Sequence, residues 1–165
     1  MDLIVTSKGE ARWGQQLFRC ALGRAGTEAG KREGDGATPA GRFPLRYLLY
    51  RPDRLEPPET GLGLLTLCPS DGWCDDPGDP LYNRPVRLPF CGRHEALWRP
   101  DEVYDLILVL GHNDDPVRPG LGSAVFLHVA RPDYAPTQGC VALAKGDLLT
   151  LISTAGPGDA VEVQL

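Results

Sequence analysis

A chain of 165 residues, 42% hydrophobic and 24% charged, is long enough to bury a real core, and residues 1–165 read as one domain. A net charge of -5 and a pI near 5.1 argue against tight nucleic-acid binding, which rests on basic phosphate contacts, and against adsorption to anionic membrane. No stretch approaches the ~20 apolar residues of a membrane span, and 20 glycines with 16 prolines imply many turns and a β-rich chain.

Leu3, Ile4 and Val5 open a strand, and residues 16–23 alternate in part as a second strand closed by Gly23. Lys8-Gly9-Glu10 then reads as the turn of a hairpin. Residues 24–41, rich in Gly and charge, read as a loop. Residues 43–50 form a strand in which Pro44 marks a start or an edge. Residues 51–63 are surface loop and 64–68 a short strand. The long segment 69–101, with Asp71-Gly72-Trp73-Cys74-Asp75-Asp76, is expected to be irregular and to wall or cover a cleft; 96–98 reads as a helical turn within it. The apolar run 103–110, bounded by Asp101 and Gly111, predicts a central strand covered on both faces. Residues 123–129 carry His128 on a strand, with Ala124, Phe126 and His128 on one face. Residues 146–152 read as a short helix with Asp147 as N-cap and Gly156 as its stop. Residues 160–165 alternate and form the last strand.

The chemistry concentrates in Ala135-Pro136-Thr137-Gln138-Gly139-Cys140-Val141-Ala142-Leu143, where Cys140 lies twelve residues after His128. A thiolate is a strong nucleophile, and a nearby imidazole can generate it. A glycine directly before the sulfur keeps bulk away and lets backbone N–H groups approach a reacting carbonyl oxygen. Buried free cysteines are nevertheless commonly inert, and a histidine closing a strand is often a hydrogen-bonded core residue, so the pair alone leaves both readings open.

Other groupings read as structural. Cys68, Cys74, Cys91 and His94 have the residue types of a zinc site, but the first pair is spaced too widely, and scattered loop thiols are favoured. Asp75-Asp76, with Asp71 and Asp79 nearby, and Asp114-Asp115 read as solvated turns rather than cation sites. Gly34-Asp35-Gly36 and Gly120-Leu121-Gly122-Ser123 lack a phosphate-loop pattern, and no G-x-S-x-G elbow occurs. No metal or cofactor is expected. The N-terminus, with Asp2 and few apolar residues, is not a secretory leader, and five cysteines is an odd count. A cytoplasmic location is the expectation, or the periplasm where a leader has been removed. Nothing in the residues fixes an oligomeric state.

The segment from His128 to Cys140 resembles the catalytic motif of the L,D-transpeptidase (YkuD-type) family, in which a strand-borne His precedes a Ser/Thr-His-Gly-Cys turn. Gly34-Asp35-Gly36-Ala37-Thr38-Pro39-Ala40-Gly41-Arg42-Phe43 resembles the family's Thr-Pro-x-Gly-x-Phe segment, and residues 104–110 resemble the strand before its catalytic His. The resemblance spans roughly the whole chain. Gln138 stands where most members have a second His, Val129 and Ala130 where many have Gly and a small hydroxyl residue, and Ala142 where many have Arg or Asn.

The resemblance implies a mainly β, mixed-sheet sandwich with one or two short helices. It implies Cys140 as nucleophile and His128 as base, with backbone N–H groups of Gly139 and Cys140 holding the oxyanion. Tyr104, Thr137, Gln138 and Arg131 would contact substrate; by charge and neighbourhood alone, Arg131 and Arg42 are the candidates to hold its carboxylates, although a surface arginine is the commoner case. The implied partners are peptidoglycan stem peptides or muropeptides, and the implied reaction is transpeptidation through a thioester with release of D-alanine. Trimming with water as acceptor (L,D-carboxypeptidase) and a non-catalytic wall-peptide binding module are the alternatives.

Overall fold

The computed structural model describes residues 1–165. In chain order the first strands are β1 (Asp2–Val5), β2 (Glu10–Trp13), β3 (Gln16–Ala21), β4 (Thr27–Glu28), β5 (Thr38–Pro39), β6 (Gly41–Tyr50) and β7 (Gly63–Thr66). They are followed by β8 (Asp71–Cys74), β9 (Pro85–Arg87), β10 (His94–Ala96), β11 (Leu106–Leu110), β12 (Phe126–Val129) and β13 (Val141–Leu143). Helix α1 (Lys145–Thr154) and β14 (Ala160–Val163) complete the chain.

The pairing closes on itself. Running β6–β11–β12–β13–β3–β2–β1–β14 and back to β6, eight strands form a barrel, so the two faces of the expected sandwich are joined. β1 with β14 and β12 with β13 are parallel, while the other neighbours in the ring are antiparallel. The ten residues of β6 allow this closure. Its first half pairs with β14 and its second half with β7 on one flank, and β11 runs along the other.

Two apolar clusters lie on opposite faces of β11. Leu106, Leu108 and Leu110 join the main core, into which α1 sends Leu148, Leu151 and Ile152. Ile107 and Val109 join a second cluster with Trp73, Phe126 and Cys140. The unbroken apolar run thus does become a central strand buried on both faces, each large side chain worth about 1.5–3 kcal/mol of burial. The candidate nucleophile belongs to the second cluster, outside the main core.

That second cluster is roofed by the segment expected to be irregular. β8 pairs with β9 and β10 in a three-stranded antiparallel sheet. Trp73 packs edge-on against Phe126 with centroids 5.1 Å apart, and its indole donates to Asn83 Oδ1 at 3.0 Å. Asn83 also donates to the carbonyls of His112 and Asn113 and accepts from the Ala124 N–H. One buried amide therefore ties the roof to the loop that leads into β12.

Several local expectations are corrected. The first hairpin is a three-strand meander: β2 buries Ala11 and Trp13 and exposes Glu10 and Arg12, a four-residue alternation too short to stand out in the sequence. Residues 96–98 form no helical turn; Ala96 ends β10 and Leu97 is buried in the second cluster. Pro44 lies inside β6 opposite Ala160, and its carbonyl accepts from the Gly111 N–H. The strand bearing His128 starts at Phe126, because Ala124 takes a left-handed φ of 51°. The residue before α1 is Ala144, which makes no side-chain cap. Asp147 sits in the first turn, where its charge suits the helix N-terminus, and the helix stops at Ala155, one residue before Gly156.

Candidate active site

The turn carrying Cys140 is held from three sides. Thr137 Oγ1 accepts the Gly139 N–H at 3.1 Å and donates to the Cys140 carbonyl at 2.7 Å. From β5, the fully buried Thr38 accepts the Gly23 N–H at 2.8 Å and donates to the same carbonyl at 3.4 Å. Gly139 has φ +139°, and a Cβ there would stand 2.8 Å from the Ala37 carbonyl oxygen and 3.2 Å from Lys31 Nζ. Only glycine fits that position.

The sheet register brings the imidazole to the same face. His128 lies opposite Ala142 across the parallel β12–β13 pair. Cys140, two residues before Ala142, and Phe126, two before His128, follow the period of two onto that face. The thiol packs at the start of β12: Sγ lies 3.4 Å from the Phe126 N–H donor and donates to the Ala124 carbonyl at 3.2 Å.

His128 Nδ1 lies 3.0 Å from the Val129 carbonyl, which fixes the proton on Nδ1 and leaves Nε2 with its lone pair. Val129 is thus the group that orients the ring, through its backbone. Nε2 has no protein partner, yet no buried side-chain nitrogen or oxygen is unpartnered, so Nε2 opens to the cleft. Tyr104 meets the imidazole edge-on at 5.3 Å between centroids.

Burial sets the resting charge state. It drives the His128 pKa down to about 4; the Val129 carbonyl opposes this, and Arg99 and Arg131 reinforce it. Burial, with the nearby charge of Glu95, pushes the Cys140 thiol up to about 12, against the Phe126 N–H and Lys31. At neutral pH the pair therefore rests as thiol and neutral imidazole, with no hydrogen bond between Sγ and the ring.

Both groups line one cleft of about 180 Å³. Tyr104, Arg131, Thr137, Gln138 and Gly139 line it as well, so every candidate site residue except Arg42 is brought together. Glu95 and Arg99 also line it and were missed. They sit in the 69–101 segment, where no periodicity marks them. Thr38 and Lys31 were missed too, although Thr38 lay inside the Thr-Pro segment that carried the resemblance.

Some assignments change. The Gly139 N–H donates to Thr137 Oγ1, whereas the Gln138 and Cys140 N–H groups have no protein acceptor. Arg42 binds Asp2 through two hydrogen bonds of 2.7 and 2.9 Å and does not line the cleft. Arg131 is exposed at the cleft rim, 3.7 Å from Asp101. All five cysteines are free, and no three His, Cys, Asp or Glu side chains stand close enough to hold a metal ion. Asp71, Asp75 and Asp114 pair with Arg87, Arg93 and Arg46 respectively.

A closed mixed sheet with a thiol and an imidazole on one cleft defines a candidate acyl-transfer site. The family model for the YkuD L,D-transpeptidase catalytic domain matches residues 3–163, and the chain belongs to that family. Among solved structures, the chain is similar to the helical cell shape determining protein Pgp2 from Campylobacter jejuni, at 13% identity and a TM-score of 0.43. That alignment covers 99% of this chain and 46% of the other, so the chain spans under half the length of Pgp2. No curated protein matches the chain. No helix is long and apolar enough to cross a membrane.

Proposed function

We propose that the protein is a cysteine acyltransferase acting on peptidoglycan stem peptides, with Cys140 as nucleophile and His128 as general base. The observation that carries this reading is the shared cleft. Cys140, directly before β13, and His128, on the neighbouring β12 with its Nε2 unpartnered, both line it, beside two N–H groups with no protein acceptor.

The resting pKa values decide how the proton moves. With burial raising the thiol to about 12 and lowering the imidazole to about 4, the neutral pair is favoured over the thiolate–imidazolium pair. The thiol therefore gives its proton to Nε2 as Sγ attacks, not before. Attack falls on the carbonyl at the L-centre of a diamino-acid residue preceding a terminal D-alanine. The C–S bond forms, and the oxyanion is met by the N–H groups of Cys140 and Gln138. On collapse the C–N bond breaks, D-alanine leaves with the proton from His128, and a thioester remains. An amine from a second stem peptide then forms a cross-link; water gives carboxypeptidase activity instead. Gln138 cannot carry a proton, so His128 is the only imidazole of the motif that shuttles one.

Incubation with a purified tetrapeptide muropeptide, followed by mass, tests the reading. A cross-linked dimer is the expected product. Tripeptide plus D-alanine means that water is the acceptor. Neither product, with retained binding, leaves a wall-peptide binding module and overturns the enzyme.

A further inference from the structure

Glu95 is the one carboxylate that lines the cleft. It stands on β10, opposite Trp73 of β8. Its Oε1 accepts the Tyr104 hydroxyl, while Oε2 has no protein partner and is reached by solvent. No cation of the chain forms an ion pair with it. Arg99, the nearest guanidinium in the cleft, is held by Asp101 through two hydrogen bonds of 2.8 and 2.6 Å, and Arg131 leans toward the same Asp101. Lys31 is paired with Asp35.

A half-buried carboxylate without a counter-ion is costly. Burial raises the carboxyl pKa, with Asp75 and Glu33 adding to the rise and the Tyr104 hydroxyl and Arg99 opposing it. Its charge in turn works against ionisation of the Cys140 thiol. An acylation site alone gains nothing from such a group. A bound cation changes the balance, because it supplies the missing partner and removes the repulsion felt at Sγ.

We propose that Glu95 is the subsite for a primary ammonium group of the acceptor substrate and takes the proton that this group must lose before it attacks. The inference rests on the acyl-enzyme reading above. The acceptor enters as an ammonium ion paired with Oε2. One proton passes to the carboxylate, leaving a neutral amine. The amine nitrogen attacks the thioester carbonyl, the C–N bond forms and the C–S bond breaks. His128 carries the second nitrogen proton to the departing sulfur, and Glu95 returns its proton to solvent. The products are an amide and the free thiol. Water has no charge to place beside Oε2, so the carboxylate biases the thioester toward aminolysis.

Glu95→Gln tests this, since the amide oxygen can still accept the Tyr104 hydroxyl. The wild-type protein and the variant are given a tetrapeptide stem as donor and a stem tripeptide with a free side-chain amine as acceptor. The thioester on Cys140, the dimer and the hydrolysed tripeptide are quantified by mass. A parallel reaction uses hydroxylamine, a nucleophile that is neutral at the assay pH. The expected result is a fall of about tenfold or more in the ratio of dimer to hydrolysed tripeptide, confined to the charged amine. An unchanged ratio, or an equal loss with hydroxylamine, overturns the ammonium subsite while leaving the acyltransferase standing. Absence of any thioester on the wild-type protein defeats the acyltransferase reading itself, and the subsite with it.

Discussion

At the scale of single residues, burial decides the behaviour of the site. A base with a pKa near 4 stays available through neutral pH. The rate of acylation is therefore expected to be level from pH 8 down to about 5 and to fall only as His128 protonates near 4. An acid limb near the ordinary 6.5 contradicts the buried, neutral ring. The same group links pH to stability. The unfolded imidazole binds a proton below about 6.5 and the folded one only below about 4. Stability is thus full above 6.5, declines as pH falls through that window, and levels off below it, a loss of about 3 kcal/mol from this residue. Denaturant midpoints at pH 7 and 4.5, for wild type against His128→Gln, isolate that contribution. Gly139→Ala places a Cβ against the Ala37 carbonyl at a φ that side chains rarely adopt; a loss of about 1–3 kcal/mol is expected, with acylation abolished. Cys140 and His128 were legible because both lie in one short segment whose order resembles a known motif. Glu95 and Arg99 were not, because only the folding of β10 against β8 brings them to the cleft.

At the scale of elements, the nucleophile turn is a junction of three segments, and its stability is that of their hydrogen bonds. Thr38 serves both the Gly23 N–H and the Cys140 carbonyl. Thr38→Val keeps the shape but strands the Gly23 N–H, so a cost of about 1–3 kcal/mol is expected in chemical denaturation. The thioester rate should fall with it, since the turn loses one of its ties. Unchanged stability and rate contradict this role for Thr38. Long or unbroken patterns carried well from sequence to structure: β11 from its apolar run and α1 within a residue or two at its ends. Short patterns did not. β2 has four residues, and the three-stranded roof draws its strands from segments with no clear period.

At the scale of the whole molecule, the barrel depends on contacts that no local pattern announces. The parallel pairing of β1 with β14 joins the two ends of the chain, and β6 meets β11 across more than fifty residues of intervening sequence. Mixed β structure was readable from composition and motif, but closure was not, because register between distant strands is set by packing. One buried carboxylate fastens this arrangement. Asp105, 1% exposed just before β11, binds Arg54 at 2.6 Å and Lys145 of α1 at 2.9 Å. Asp105→Ala leaves two partly buried cations facing each other, and a loss of about 3 kcal/mol is expected in thermal or denaturant unfolding. A change below about 0.5 kcal/mol contradicts a fastening role.

The central claim is that an acyl group rests on one particular sulfur. Mass mapping of the protein after reaction with a tetrapeptide stem, or with a carbapenem whose strained carbonyl traps the thiol, measures this directly. A single adduct on Cys140, lost in Cys140→Ala, is the result the account requires. An adduct on Cys20, Cys68, Cys74 or Cys91, or turnover that survives Cys140→Ala, contradicts it.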